Sequence, residues 1–320
     1  MTRRRAAAVT WVVGPDDEGS VLAVVARLKP AGVGGCAVQD GRVFVDGVRV
    51  QTPDQPVFSG QRIDVYSARD STLQPQVLDE RGGLLAVLKP PGLPTEPDRH
   101  GREESLLCRL AAQLRVPRDR LHAASRLDLG VSGLVLVACT AEARRAVQTA
   151  RGEARLRHRY LALAAARPPT ERGQWTSPVP GRVRRGPRRT PQPALTHFAC
   201  AAQADPIRAS VRLDFPDANP TLLGVEPQTG RTHQIRIHAS LANAPLLGDR
   251  GHGGPTRALR SNGEVVRLDR IALHMARILL WDVRGVWRVQ APLPADLVGL
   301  WRDLGGREED QAAAMVGDRL

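Results

Sequence analysis

Apolar and polar positions divide the chain into two stretches of different texture. From Gly41 to Val50 apolar residues alternate with others about a central Asp46-Gly47, which predicts a two-strand hairpin. A further short strand is predicted over Gln61–Tyr66, after the turn at Ser59-Gly60. Between Gly19 and Leu28 the apolar residues recur at helical spacing, so a helix is expected to pack on these strands. Residues 1–70 thus read as a small module. Residues 71–80 are polar, include Pro75, and read as a linker. A new apolar strand begins at Leu84 and stops at Lys89-Pro90-Pro91-Gly92, opening a long pattern of mixed strands and helices over residues 81–304. Within it a strand is predicted over Leu134–Ala138. Another ends at the turn Pro227–Gly230, followed by a helix to Leu241 with Thr229 or Thr232 as its N-cap. Residues 305–320 lack a strong pattern and are expected to fray.

At 320 residues the chain exceeds what one core usually supports, in keeping with two domains. Its formal net charge is +13, and Lys29 and Lys89 are its only lysines. An arginine excess of this size predicts a polyanionic partner, most simply nucleic acid. One insertion, Arg167 to Pro193, is rich in proline and holds Arg182, Arg184, Arg185, Arg188 and Arg189. It reads as a surface loop whose arginines suit RNA backbone. The cysteines Cys36, Cys108, Cys139 and Cys200 have no zinc-ligand spacing and are too few for a disulfide scaffold. No apolar run approaches the ~18 residues of a membrane helix. The expectation is a cytoplasmic protein in a reducing compartment, without a membrane or metal partner.

The candidate chemistry centres on Asp128. It precedes the apolar strand at Leu134, in a loop where Gly130 and Gly133 permit close backbone approach. The segment SRLDLGVSGLVLVA resembles the aspartate motif of the RluA family of pseudouridine synthases, and TGRTHQIRIHAS with APLLGD (residues 229–249) resembles its second signature. AVLKPPGL at 86–93, Arg159-Tyr160-Leu161-Ala162-Leu163, and Arg270 to Ala276 with APLPADL at 291–297 resemble the remaining family motifs, in the family's order. Less specifically, GRVFVDGVRV and PVFSGQRIDVY resemble part of an S-four-like RNA-binding module. There the helical half departs early, at Lys29-Pro30.

The resemblance implies an α+β fold, with a mixed, mostly antiparallel sheet and a central cleft. It implies an isomerase that converts RNA uridine to pseudouridine without a cofactor, acting as a monomer on ribosomal RNA of the large subunit rather than transfer RNA. Asp128 matches the essential aspartate. Arg236 matches its basic partner, which would keep the carboxylate ionised and oriented. Tyr160 matches the tyrosine beside the uracil ring, a candidate for assisting removal of the C5 proton. Arg126 matches the arginine that fills the space of a flipped uridine, and Arg231 is expected to contact phosphate. His233 and His238 are five apart, do not share a helix face, and read as packing or hydrogen-bonding residues. The chain departs from the family pattern at Ser125 (histidine), Val131 (threonine), His158 (lysine), His252 (tyrosine) and Asp282 (proline). Two other readings fit parts of the chain. A catalytically silent RNA-binding or ribosome-assembly factor is opposed by the intact Asp128, Tyr160 and Arg236. A nucleoside hydrolase would need a second positioned carboxylate, and no paired acidic motif accompanies Asp128.

Overall fold

The computed structural model describes residues 9–28, 37–38, 42–50, 52–65, 73–97, 104–181 and 190–315. Two compact units emerge. One comprises Met1–Gln74 with Glu96–Arg109, the other Pro75–Thr95 with Leu110–Leu320. The division falls inside the helix α2 (Leu106–Leu114).

In the first unit the strands β1 (Val9–Val12), β2 (Val43–Val45), β3 (Val48–Arg49) and β4 (Arg62–Val65) form an antiparallel sheet of order β1-β4-β2-β3. The predicted hairpin is β2–β3. Asp46 and Gly47 take φ of 48° and 78°, the paired left-handed conformation that matches strand twist. Helix α1 (Val21–Leu28) lies where apolar spacing placed it, and Val21, Val24 and Val25 join Val43, Val45, Ile63 and Val65 in one buried cluster. The helical departure at Lys29-Pro30 lies outside the described residues.

The second unit is built on one sheet of ten strands. Its main strands are β5 (Gln76–Arg81), β6 (Leu84–Lys89), β7 (Ser132–Ala138), β8 (Leu156–Ala164), β9 (Arg172–Trp175), β10 (Thr196–Gln203), β11 (Thr221–Pro227), β12 (Leu273–Asp282) and β13 (Gly285–Gln290). The order is β9-β10-β11-β8-β12-β7-β6-β5, with β13 beside the far half of β12. Every pairing is antiparallel except β7 with β12, which run parallel at Ser132↔His274 and Gly133↔Met275. β7 is buried at every position, as its unbroken apolar run requires of a central strand covered on both faces. Gly133 permits the parallel seam: its φ is +119°, and a Cβ there would collide with the backbone of Met275. Helices α3 (Ala141–Gly152), α4 (Gln234–Leu241), α5 (Ala295–Asp303) and α6 (Asp310–Met315) complete the unit. Leu161, Leu163, Leu222, Ala276, Leu297 and Trp301 belong to one core cluster.

Four expectations need correction. The insertion from Arg167 to Pro193 is not wholly a loop, because Arg172–Trp175 forms β9 at the edge of the sheet and Val179–Pro180 pairs with Pro191–Gln192. Residues 71–80 are not wholly a linker, because Gln76 onward pairs with β6; this edge strand is largely exposed and carries a polar sequence. The C-terminal segment does not fray through Met315. Ala314 is buried, and the carbonyls of Ala314 and Met315 accept hydrogen bonds from Arg159 Nε (2.8 Å) and Arg277 Nη1 (2.9 Å), two buried arginines that flank Glu226. Helix α4 is capped neither by Thr229 nor by Thr232. Its N-cap is His233, in the left-handed region at φ 57°. Thr229 is engaged elsewhere: its hydroxyl donates to Gln234 Oε1 (2.7 Å) and accepts from the Leu195 amide (3.0 Å).

Candidate active site

Asp128 sits in the loop entering β7, and hydrogen bonds to its backbone hold that loop. Thr95 Oγ1 accepts from the Leu127 amide (3.0 Å) and donates to the Leu127 carbonyl (3.1 Å). The Gly92 amide donates to Leu129 O (2.7 Å), and the Val131 amide to Asp128 O (3.0 Å). The fully buried Lys89 ties the adjoining Lys-Pro-Pro-Gly turn, donating from Nζ to the carbonyls of Pro90 (2.9 Å) and Leu93 (2.8 Å). Both residues flanking Asp128 are therefore clamped through their own backbone atoms, while its side chain keeps 28% of its surface open.

Opposite stands Arg236, on the first turn of α4. Its Nη1 donates to Asp128 Oδ2 at 2.7 Å. The rest of the guanidinium forms a fork to Asp249, from Nε to Oδ2 (2.7 Å) and from Nη2 to Oδ1 (2.8 Å). Asp249 is 1% exposed. Burial works against the arginine's charge, but hydrogen bonds to the two carboxylates outweigh it and raise its pKa. The planar fork matters, since a bidentate pair sets the plane of the guanidinium as well as its position. The turn before α4 is stapled by Gln234, whose Oε1 accepts from the Arg231 amide (3.0 Å) and whose Nε2 donates to Leu195 O (2.9 Å).

Tyr160 lies on β8, partly buried, in register with Met275 on β12, which in turn pairs with Gly133 on β7. The β8–β12 register shifts between Arg159 and Tyr160, a bulge of the kind that re-aims a side chain. Burial first, and then the charge of Asp128, push the phenol's pKa above its ordinary value, against an opposing effect of Arg151. In the resting protein Tyr160 is thus a protonated phenol rather than a base.

Two histidines adjoin this group. His233 Nε2 is 3.7 Å from Asp128 Oδ2, and its Nδ1 is 3.2 Å from Nε2 of His252, with the rings nearly perpendicular. Burial lowers the pKa of both, so neutral imidazoles are favoured. His238, by contrast, is buried between Thr196 Oγ1 and the Ser177 carbonyl, both at 2.8 Å, and is a packing residue as expected. On the seam itself, His274 Nδ1 lies 2.8 Å from Ser132 Oγ, which also accepts from Arg270 Nη1 (2.9 Å). Ser132 and His274 are both almost fully buried, so this pair is a strut under the Asp128 loop rather than a reactive dyad.

The structure thus brings Asp128 and Arg236 into contact and places Tyr160 within range of the aspartate's charge. Arg126 is exposed, two residues before Asp128. Arg231 is exposed on the turn before α4 and donates from Nε to Pro193 O (3.2 Å). Arg184, Arg185, Arg188 and Arg189 lie outside the described residues. Sequence reasoning missed Asp249 and the site position of His233, and named His252 only as a departure from the family's tyrosine. The APLLGD motif was visible, yet a lone Asp after Gly reads as a turn residue. Among the described residues no group of three metal-ligating side chains is close enough to hold an ion, and no helix is long and apolar enough to cross a membrane.

Residues 83–241 match the family described as RNA pseudouridylate synthase. Ribosomal large subunit pseudouridine synthase D of Yersinia pestis is 29% identical over 85% of this chain and 86% of its own length. RNA pseudouridine synthase YhcT of Bacillus subtilis is 30% identical over 75% of this chain and 77% of its own. Among solved structures, human RNA pseudouridylate synthase domain containing 4 superposes with a TM-score of 0.54 at 20% identity, over 71% of this chain and 92% of that one, which shows a shared fold. The aspartate loop, Tyr160 and the helix that carries Arg236 all fall within the matched segment, and the chain belongs to the RluA family of RNA pseudouridine synthases.

Proposed function

We propose that this protein isomerises uridine to pseudouridine in the RNA of the large ribosomal subunit, acting as a monomer in the cytoplasm. The reaction breaks the bond from ribose C1′ to uracil N1 and forms one from C1′ to C5. C5 loses its proton, N1 ends protonated, and nothing is oxidised. The contact between Asp128 and Arg236, with Arg236 fixed from behind by Asp249, carries the reading. Whether the carboxylate traps C1′, stabilises an oxocarbenium-like sugar or adds to the ring, the chemistry calls for one ionised, oriented and accessible carboxylate. A flipped base reaches such a group, and an exposed arginine beside it fills the vacated stack; Arg126 has that position. Tyr160 supplies a phenol at the ring. Arg231, the arginine-rich segment 182–189 and the N-terminal unit engage phosphates, in keeping with a charge of +13. The relatives named as large-subunit synthases favour ribosomal over transfer RNA. The test is tritium release from unmodified transcripts labelled at uridine C5. Release from the large-subunit transcript, and little from transfer RNA, is expected; the reverse preference would overturn the substrate assignment.

A further inference from the structure

The two side chains that face Asp128 both approach the same oxygen. Arg236 Nη1 donates to Oδ2 at 2.7 Å, and His233 Nε2 faces Oδ2 at 3.7 Å. Among the described residues no hydrogen bond reaches Oδ1. What His233 presents to the carboxylate depends on its tautomer, and its other nitrogen, Nδ1, is in contact with His252 Nε2 at 3.2 Å.

Two neutral imidazoles share one proton across such a contact. If His233 donated from Nδ1, its Nε2 would turn a lone pair towards the carboxylate, which is repulsive. If His252 donates from Nε2, His233 accepts at Nδ1 and carries its own proton on Nε2, towards Asp128. Only the second arrangement is electrostatically consistent with a carboxylate at this distance. The 3.7 Å separation exceeds a hydrogen bond, as is common before substrate closes a site. His252 is held for this task by main chain: its amide donates to Asp249 O (3.0 Å). Gly251 beside it has no room for much side chain, since a Cβ there would stand 3.2 Å from Arg236 Nη2. His233 adopts φ 57°, a left-handed conformation that a non-glycine residue keeps only when its surroundings impose it. The charges facing the pair are Asp128, Asp249 and Arg236.

We infer that His252 is a positioning residue that fixes the tautomer of His233, so that His233 and Arg236 together engage Asp128 Oδ2 and leave Oδ1 as the reacting oxygen. The inference rests on the assignment of Asp128 as the reacting carboxylate.

The test combines side-chain ¹⁵N spectra of histidine-labelled protein with tritium release from large-subunit transcript, on wild type, His252→Phe, His252→Gln and Asp128→Asn. Wild type should show His233 protonated at Nε2. His252→Phe keeps a ring but removes the donor; it should shift His233 towards the Nδ1–H form and lower kcat about tenfold with KM unchanged. His252→Gln, which restores an N–H donor, should recover most of both. A wild-type His233 protonated at Nδ1, or a His252→Phe variant with unaltered His233 spectrum and kcat, would overturn the inference. An active Asp128→Asn variant would instead refute the assignment beneath it, while the spectra still decide the tautomer.

Discussion

Replacing Asp249 by Asn alters one atom yet removes the anion behind Arg236. The native fork has two charge-assisted bonds, 2.7 and 2.8 Å, between an arginine side chain 9% exposed and a carboxylate 1% exposed. Asparagine can accept one guanidinium N–H through its oxygen, but its amide group then sets N–H against the other. Breaking one side of a buried ion pair costs about 3–5 kcal/mol, because the remaining charge stays buried without its partner. Asp128 still neutralises part of the charge, which places the loss near the lower figure. In a unit of this size, about 3 kcal/mol corresponds to a Tm lower by roughly 6–12 °C. The effect on turnover is separate. With only Asp128 to bind, the guanidinium can swing, and a shift of about 1 Å in a catalytic group costs on the order of 10²-fold. Urea unfolding gives the first quantity, and tritium release at about 20 °C, where the variant is still folded, gives the second. A variant within about 0.5 kcal/mol and threefold of wild type would refute the role given to the fork.

Other outcomes follow from the same geometry. His274 is buried, its pKa pushed down to about 4, chiefly by that burial, and His158 is likewise pushed down to about 4. The unfolded chain takes up these protons first, so the stabilisation is complete above pH ~6.5 and is lost as pH falls towards ~4, by up to about 3 kcal/mol for each group. The slope of Tm against pH across that window should be clearly shallower in His274→Gln; an unchanged slope would contradict the assignment. Gly133→Ala forces a Cβ against Met275 at φ +119° and should destabilise by roughly 3 kcal/mol or more in urea, whereas Gly263→Ala, also at positive φ but in open space, should cost less. Tyr160→Phe keeps the ring and loses the hydroxyl. If the phenol acts through its O–H, tritium release should fall at least tenfold with RNA affinity unchanged, and full retention of rate would limit Tyr160 to ring contact.

Much of this site was legible because its local rules are strong. Leu84–Leu88 and Leu134–Ala138 are unbroken apolar runs, and such runs become central strands when both faces are covered. Asp46-Gly47 carries its own hairpin chemistry. The motifs around Asp128, Tyr160 and Arg236 pointed to residues on three separate elements, and the fold brings Asp128 and Arg236 together across 108 positions of sequence. What escaped depends on distant partners. β5 is polar because it lies at an edge, so composition alone made it a linker. The C-terminal helix is held by Arg159, 155 residues before the carbonyl it binds, and by Arg277, 38 residues before its own, which no local pattern records. Thr229 has the chemistry of a cap, but Gln234 claims its hydroxyl and His233 takes the capping position. Asp249 is only part of a motif until Arg236 is seen to bind it, and His252 is only a departure from the family's tyrosine until His233 is seen beside it.

The proposed isomerisation requires Asp128 to be the group that reacts. The direct measurement is tritium release from C5-labelled large-subunit transcript by wild type and by Asp128→Asn, with transcript binding measured on the same preparations. Wild type should release tritium and leave pseudouridine at defined positions. Asp128→Asn should release none while binding the transcript within a few fold of wild type. Release by the variant at the wild-type rate would contradict the account.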